Sequence, residues 1–120
     1  MLVKLERHDG SPVCERCLLA ETPLTRARGL LGRAGLDRGE GILLRPASSI
    51  HMWFMRFAID AVFLDRESRV LRVAENLRPW RLAGCKGAKA VIELPAGECE
   101  RVGLAPGDVV RVTPTLAPVK

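Results

Sequence analysis

Residues 48–65, SSIHMWFMRFAIDAVFLD, hold nearly all of the phenylalanine and tryptophan of this chain. The chain has three phenylalanines, two tryptophans and no tyrosine, and only Trp80 lies outside the stretch. Large apolar side chains gathered in one segment are typical of a hydrophobic core. The stretch also contains His51, Arg56 and Asp60, which a core alone would not select. We therefore expect this stretch to form the centre of the core and a candidate site.

The pattern around this stretch predicts a central β-hairpin. Strands are expected at about residues 50–57 and 59–64, followed by a turn and by a returning strand at 69–77. Alternation along the first strand would place His51 and Met55 on the same face.

The rest of the chain predicts short strands and two small helices. Asp9-Gly10 is a turn signal, so residues 1–20 are expected to form an N-terminal hairpin. Thr22-Pro23 offers an N-cap followed by a proline at the first helical position. Further strands are expected at 42–44, 89–94 and 109–113, with a second short helix after Gly97. Without βαβ alternation, the sequence predicts an α+β, mostly β fold: a small antiparallel, β-barrel-like single domain with one or two short helices.

Length and charge limit the classes of protein to which this chain can belong. The 120 residues fit one domain spanning 1–120, with a frayed tail at 114–120. No apolar run approaches the roughly 20 residues that cross a bilayer, and Met1–Arg7 does not resemble a signal peptide. We therefore expect a cytoplasmic protein with no membrane partner. The net charge is +5, but the arginines are scattered among acidic residues, so a nucleic-acid partner is disfavoured.

Cys14 and Cys17 form the one recognisable chemical spacing. A structural zinc site needs four ligands, and no second pair with this spacing exists. Cys85 and Cys99 could complete a site only if the fold brings them close. Two ordinary cysteines near a strand end are the favoured interpretation. We expect no metal and no other cofactor, with Cys14 and Cys17 as the remaining weak metal candidates.

His51 and Asp60 each allow two interpretations. With Met52, Met55 and Cys85, His51 could contribute to a soft copper(I) site, although a hydrogen-bonded and partly buried histidine is favoured. Asp60 lies between apolar positions and needs a partner, for which Arg56 is the nearest cation along the chain. Asp60 could act with His51 as an acid/base pair, or it could be a cap or turn residue that fixes the bend between two strands. The residue types leave both interpretations open.

The end of the returning strand offers further candidates. Glu75 and Asn76 lie beside an irregular loop, where ligand contacts are often placed. Trp80, with Arg78 and Arg81, could form a stacking and positively charged rim for an anionic or planar ligand. It could also close the core under a loop.

Several segments occur in an order that is typical of one family. They are RGLLGR at 28–33, GILL at 41–44, SIHMWFMRFAIDAVFLD at 49–65, ENLRPW at 75–80 and VIELPAG at 91–97, closing with Gly103 and Gly107-Asp108. Together they resemble the DUF192 family, also called UPF0127, over about residues 20–113. The resemblance implies a small single domain rich in β structure and no defined activity. It leaves Cys14 and Cys17 outside the matched core.

The family-typical positions coincide in part with the candidate site. They fall at His51, Met55, Ile59, Asp60, Phe63, Asp65, Glu75, Asn76, Pro95 and Gly97.

The sequence leads to three functional hypotheses. The first is a binding module that recognises a small polar ligand or a protein partner through a pocket at the central hairpin, lined by His51, Trp53, Met55, Asp60, Glu75, Asn76 and Trp80. The second is a hydrolase-like enzyme with Asp60 and His51 as acid and base. The third is a weak nucleic-acid or ribosome-associated module that acts through its arginines. No nucleophile elbow, paired-carboxylate spacing or phosphate loop is present, which favours binding over catalysis without deciding whether the protein is an enzyme.

Overall fold

The computed structural model describes residues 1–114, apart from the side chain of Arg28. The predicted frayed tail lies almost wholly outside the described residues. In chain order the elements are β1 (Leu2–Arg7), β2 (Pro12–Ala20), α1 (Pro23–Arg28), β3 (Glu40–Leu44), β4 (Ser49–His51), β5 (Ile59–Leu64), β6 (Val70–Leu77), β7 (Leu82–Gly84), β8 (Ala90–Pro95), α2 (Glu98–Val102) and β9 (Val110–Pro114). No helix in this part of the chain is long and apolar enough to cross a membrane.

Local signals account for the first elements. Gly10 adopts a φ of 89° in the turn between β1 and β2, a conformation that glycine reaches without steric cost. The side chain of Thr22 accepts a hydrogen bond from the backbone N–H of Thr25, and Pro23 follows as the first residue of α1. The hydroxyl of Thr25 in turn accepts a bond from the N–H of Thr22, which completes a capping box. The predicted hairpin and first helix are therefore confirmed.

Seven strands form one sheet in the order β6-β5-β8-β3-β2-β1-β9. Neighbouring strands are antiparallel except β2 and β3, which run parallel. The two edge strands approach each other at one end, where Arg69 and Val109 form an isolated bridge. The α+β, mostly β fold is confirmed, and the sheet is barrel-like without closing into a continuous ladder. The predicted central hairpin is confirmed as β5 and β6.

The core has two parts, one on each face of the sheet. Val62, Leu64, Ile92 and Leu94 belong to the first cluster, which also packs against β1, β2, β9 and α2. The second cluster lies beneath α1 and the small β4–β7 sheet, and its largest fully buried members are Ile42, Met52, Ile59 and Phe63. Because side chains alternate along a strand, successive residues of β5 and β8 face different clusters.

The predicted strand at 50–57 is wrong beyond its first residues. β4 ends at His51, and residues 52–58 form turns instead. The backbone N–H groups of Met55 and Trp80 both donate to the carbonyl of Met52, at 3.3 and 2.8 Å. Tertiary packing overrides the strand propensity here, since Met52 is drawn into the second cluster and Phe54 adopts a positive φ.

Candidate functional site

Asp60 is fully buried on β5, and its carboxylate is satisfied by backbone groups. One oxygen accepts from the N–H of Asn76 at 2.9 Å. The other accepts from the N–H of Gly97 at 3.1 Å and of Cys99 at 3.0 Å. Three donors to a carboxylate compensate much of the cost of burying its charge. Asp60 thereby ties the end of β6 and the first turn of α2 to the start of β5.

The environment of Asp60 is that of the first core cluster. Its cross-strand partner on β8 is Leu94, a member of that cluster. The Cys99 thiol lies beside it, and burial together with the Asp60 carboxylate raises the pKa of that thiol well above its usual range. The geometry therefore matches the cap interpretation of Asp60, and the nearest cation along the chain, Arg56, makes no bond with it.

The structure does not bring the seven sequence-predicted site residues together. Glu75 and Asn76 are exposed on β6, and only the backbone of Asn76 contacts Asp60. The other four residues lie at the opposite side of the sheet, around β4 and β7. They are His51, Trp53, Met55 and Trp80. The acid/base pair of Asp60 and His51 therefore lacks the proximity it would need, because the two side chains face different layers of the molecule.

Four rings form a continuous aromatic array around the small sheet. His51 stacks on Trp53 with ring centroids 5.6 Å apart, and Trp53 lies 6.0 Å from Trp80. Phe54 meets Trp80 edge to face at 4.9 Å. Trp80 is therefore not buried under a loop, as one sequence interpretation had it, but exposed beside Phe54.

A cleft of about 170 Å³ opens between α1, β4 and β8. Its apolar walls come mainly from Leu30, Leu31, Leu44, Ile50 and Met55. Its polar lining comes from Arg26, Ser49, His51 and Glu93. A concave, mostly apolar space with a few polar groups is the usual form of a small-molecule site. Of the seven predicted residues, His51 and Met55 line it.

Glu93 is the residue that sequence reasoning missed. It lies on β8 between Ile42 and Ala61 of the neighbouring strands, facing the second core cluster, with only 7% of its surface exposed. Burial raises the pKa of this carboxyl to about 7. Within residues 1–114, no salt bridge or side-chain hydrogen bond to its carboxylate is seen among the side chains the structure describes. The available signal was an acid at the centre of the apolar run VIELP, a position that faces a core in any buried strand.

Arg26 supplies a cation at the rim of the cleft. Its Nη1 donates to the carbonyl of Pro46 at 2.9 Å. Its Nε is buried and has no hydrogen-bond partner in the described part of the chain. An acceptor placed in the cleft could satisfy this donor, since buried polar groups are nearly always paired.

Gly41 allows β3 to approach β8 at the position of Glu93. A Cβ atom built on Gly41 would lie 2.8 Å from the backbone oxygen of Glu93 and 2.9 Å from Cδ2 of Leu94. It would also lie 3.1 Å from Sγ of Cys14. Only glycine fits this contact. A side chain at position 41 would push β3 away from the β8 backbone that carries Glu93.

Cys14 and Cys17 are both buried in the first core cluster. A hydrogen bond with the Cys17 thiol lowers the pKa of the Cys14 thiol, and the same bond with burial raises the pKa of Cys17. Among the residues that the structure describes, no group of three or more His, Cys, Asp or Glu side chains is arranged to hold a metal. The expectation of no metal, with this pair as the remaining weak candidate, stays a prediction.

Comparison with known proteins gives one consistent family. The DUF192 model, described as an uncharacterised ACR, matches residues 4–112 and so includes the N-terminal hairpin. UPF0127 proteins of Thermococcus sibiricus and Thermococcus kodakarensis are each 35% identical, over 79% and 81% of this chain. A UPF0127 protein of Pyrococcus horikoshii is 40% identical over 78% of this chain and 84% of its own length. The match spans 64% of the length of each Thermococcus protein, so the activity of those longer chains is not carried over.

Two solved structures share the fold. A crystal structure of a Novosphingobium aromaticivorans protein of unknown function has a TM-score of 0.76 and 27% identity, covering 92% of this chain and 84% of that one. A Sinorhizobium meliloti protein has a TM-score of 0.77 over 92% of both chains. Its identity is 24%, so this likeness concerns the fold alone.

Proposed function

The chain belongs to the DUF192 family, also called UPF0127, and on that basis we propose that it is a binding module for a small polar ligand. The ligand site is the cleft between α1, β4 and β8, which adjoins the central hairpin where the sequence placed its pocket. His51 and Met55 stay in this site, while Glu93 and Arg26 replace Asp60, Glu75 and Asn76 as its polar groups.

The observation that carries the proposal is the state of Glu93. A carboxyl that is nine-tenths buried without a salt bridge among the described residues costs free energy, and its raised pKa of about 7 reflects that cost. Near pH 7 such a group is present both as a carboxylate that accepts and as a carboxylic acid that donates. A ligand with a donor group would therefore recover part of this free energy.

The cleft also restricts the chemistry of the ligand. A cleft of about 170 Å³ suits a small metabolite rather than a nucleotide. Glu93 calls for a hydrogen-bond donor, and Arg26 calls for an acceptor such as a carboxylate. The walls of leucine, isoleucine and methionine suit a short apolar body between the two. Small amino acids and hydroxy acids combine these features.

A second function is favoured by the same pKa. General acid/base catalysis is most efficient when the catalytic group titrates near the working pH, and Glu93 meets that condition. His51 lines the same cleft and could act beside it. In this enzyme hypothesis, Glu93 has the acid/base role that the sequence suggested for Asp60.

Ligand-observed NMR with a set of amino, hydroxy and keto acids tests the proposal. We expect at least one compound to bind the wild type and to bind Glu93→Gln at least about tenfold more weakly, because the amide cannot carry charge. The matched control is Glu75→Gln, an exposed carboxylate outside the cleft, which should bind as the wild type does. Binding that is unchanged in Glu93→Gln would contradict the proposal, and chemical conversion of the bound compound would favour the enzyme.

A further inference from the structure

Three large apolar side chains protrude together on the outer side of the β4–β7 sheet. Phe54 is 73% exposed, Leu82 is 68% exposed and Trp80 is 56% exposed. Phe54 and Trp80 contact each other, and Leu82 lies opposite His51 in the strand pair that carries the aromatic array. We call Phe54, Trp80 and Leu82 the apolar tip. Exposed apolar residues gathered in one place mark an interaction surface more often than scattered ones do.

The backbone holds this tip outward. Phe54 and Trp80 have φ angles of 64° and 68°, in the left-handed region that bulky residues rarely adopt. The loops that carry Phe54 and Trp80 are joined at Met52. Its carbonyl accepts from the backbone N–H of Trp80, and its N–H donates to the carbonyl of Arg81 at 2.7 Å. Strained conformations of this kind persist where the surrounding structure fixes them, and they cluster at functional sites. The backbone around Phe54 and Trp80 is therefore fixed by hydrogen bonds to Met52.

The two chain segments that carry the tip contain an excess of basic residues. Residues 41–59 and 76–92, which contain β4, β7 and their loops, hold six basic residues and no acidic one. The whole chain has 19 basic and 14 acidic residues, so the remainder holds 13 basic and 14 acidic residues. The entire net positive charge of the protein thus belongs to these two segments. Of their arginines, Arg56, Arg78 and Arg81 are exposed and make no salt bridge within the part of the chain that the structure describes.

We propose that the apolar tip and its arginines dock on the surface of a membrane that contains anionic lipids. Binding of this kind scales with the apolar area inserted at the headgroup level plus the attraction between basic side chains and anionic headgroups. Tryptophan and phenylalanine favour that depth, and arginines beside them meet the phosphates.

Ring geometry favours lipid over single-stranded nucleic acid. Bases stack on open ring faces. Here His51 covers one face of Trp53, and Phe54 and Trp80 meet edge to face, so part of each ring already contacts another ring. The aliphatic side chain of Leu82 offers nothing to a base but inserts readily between lipids. None of the three tip residues lines the Glu93 cleft. The proposal departs from the sequence expectation of no membrane partner.

The two tryptophans of the chain make the test direct, because both belong to the aromatic array. Full-length protein is mixed with vesicles of phosphatidylglycerol and phosphatidylcholine in equal amounts, or of phosphatidylcholine alone. We expect sedimentation with the anionic vesicles only, a shift of tryptophan emission to shorter wavelength, and quenching by bromine-labelled lipid chains. Failure to sediment with anionic vesicles would overturn the proposal, as would sedimentation without quenching.

Matched variants assign the binding to the tip. Phe54→Ser with Leu82→Ser should weaken vesicle binding at least about tenfold, since inserted apolar area is lost. Leu18→Ser, which removes an exposed leucine from β2, should leave it unchanged. Arg78→Ser should cost about fivefold, whereas Arg66→Ser on the β5–β6 turn should cost little. Equal losses in tip and control variants would overturn the proposal. Binding to a thymidine oligonucleotide in place of vesicles would overturn it in favour of nucleic acid.

Discussion

Asp60 and Glu93 are two buried carboxyls on neighbouring strands, and their environments are opposite. Asp60 faces the first core cluster, and its carboxylate accepts hydrogen bonds from three backbone N–H groups with N···O distances of at most 3.1 Å. Glu93 faces the second cluster, and burial alone raises its pKa to about 7. Both acids are embedded in apolar strands. Asp60 has three backbone donors, whereas no donor to the Glu93 carboxylate is found among the side chains that the structure describes.

The difference distinguishes a buried carboxyl that serves the fold from one that is available to a ligand. A buried carboxylate that the backbone satisfies has no capacity left for a ligand, and its place in the fold explains its presence. A buried carboxyl that lines a cleft and lacks such donors destabilises the empty protein, which is typical of binding and catalytic groups. We expect substitutions to have opposite signs at the two positions.

Replacing Asp60 should have the largest effect. Asp60→Ala leaves three backbone N–H groups of β6 and α2 without an acceptor, and we expect a loss of about 4 kcal/mol in the free energy of unfolding. Urea denaturation measures it. Asp60→Asn keeps one acceptor oxygen and serves as the milder variant, with a smaller loss. A loss under about 1 kcal/mol in Asp60→Ala would mean that the three bonds do not hold the fold together.

Replacing Glu93 should stabilise the protein at neutral and higher pH. The pKa of Glu93 is raised in the folded state from 4.5 to about 7, so its favourable contribution is complete below pH 4.5 and is lost as pH rises through 7. Glu93→Gln removes this pH-dependent loss of stability. The free energy of unfolding of the variant, relative to the wild type, should therefore rise by about 3 kcal/mol between pH 4.5 and pH 8.

Unfolding curves of the wild type and Glu93→Gln across this pH range give the difference in their free energies of unfolding. The contributions of the other titrating groups cancel in that difference. Glu75→Gln, on the exposed face of β6, should show a difference within about 0.5 kcal/mol at every pH. A flat difference for Glu93→Gln would contradict the desolvated state of the group.

Gly41 tests the backbone contact that positions Glu93. Gly41→Ala places a Cβ atom 2.8 Å from a backbone oxygen, and we expect a loss of about 2 kcal/mol because neither strand can move away freely. Gly35→Ala is the matched control, since no atom lies within 4 Å of its Cβ position. Thermal unfolding of the two variants compares them, and equal melting temperatures would show that β3 and β8 are less tightly joined.

His51 should matter least for stability. It is exposed at the mouth of the cleft, and its main contact is the stacked ring of Trp53. His51→Ala should change the free energy of unfolding by less than about 0.5 kcal/mol while weakening any ligand that depends on Glu93. A loss of several kcal/mol would instead place His51 in the structural group with Asp60.

Much of the fold follows from local signals in the sequence. The Asp9-Gly10 turn, the Thr22-Pro23 cap and the alternation around 59–77 each predict an element that the structure contains. The segment after His51 escapes prediction because its strand propensity is strong, whereas the burial of Met52 and the positive φ of Phe54 depend on distant partners. The parallel pairing of β2 and β3 is likewise a tertiary feature that no local pattern encodes.

The candidate site was predicted in part, for a physical reason. His51, Met55 and Trp80 attract attention because their types are rare in this chain. Asp60 attracted the same attention, but its donors are backbone groups up to 39 residues away along the chain, which carry no residue signature. Glu93 gives no decisive signal of its own, because one acid within the predicted strand at 89–94 could equally face solvent. Only the pairing of β8 with β3 and β5 shows that it is enclosed on both sides.

The most direct test is the titration of the Glu93 side chain itself. Carbon-13 NMR of the carboxyl carbons, with the Glu93 signal assigned by its loss in Glu93→Gln, follows this one group from pH 3 to pH 9. A midpoint close to pH 7 is the predicted result. A midpoint near 4.5 would show that Glu93 is solvated or paired, and the cleft would lose the group on which its function is argued.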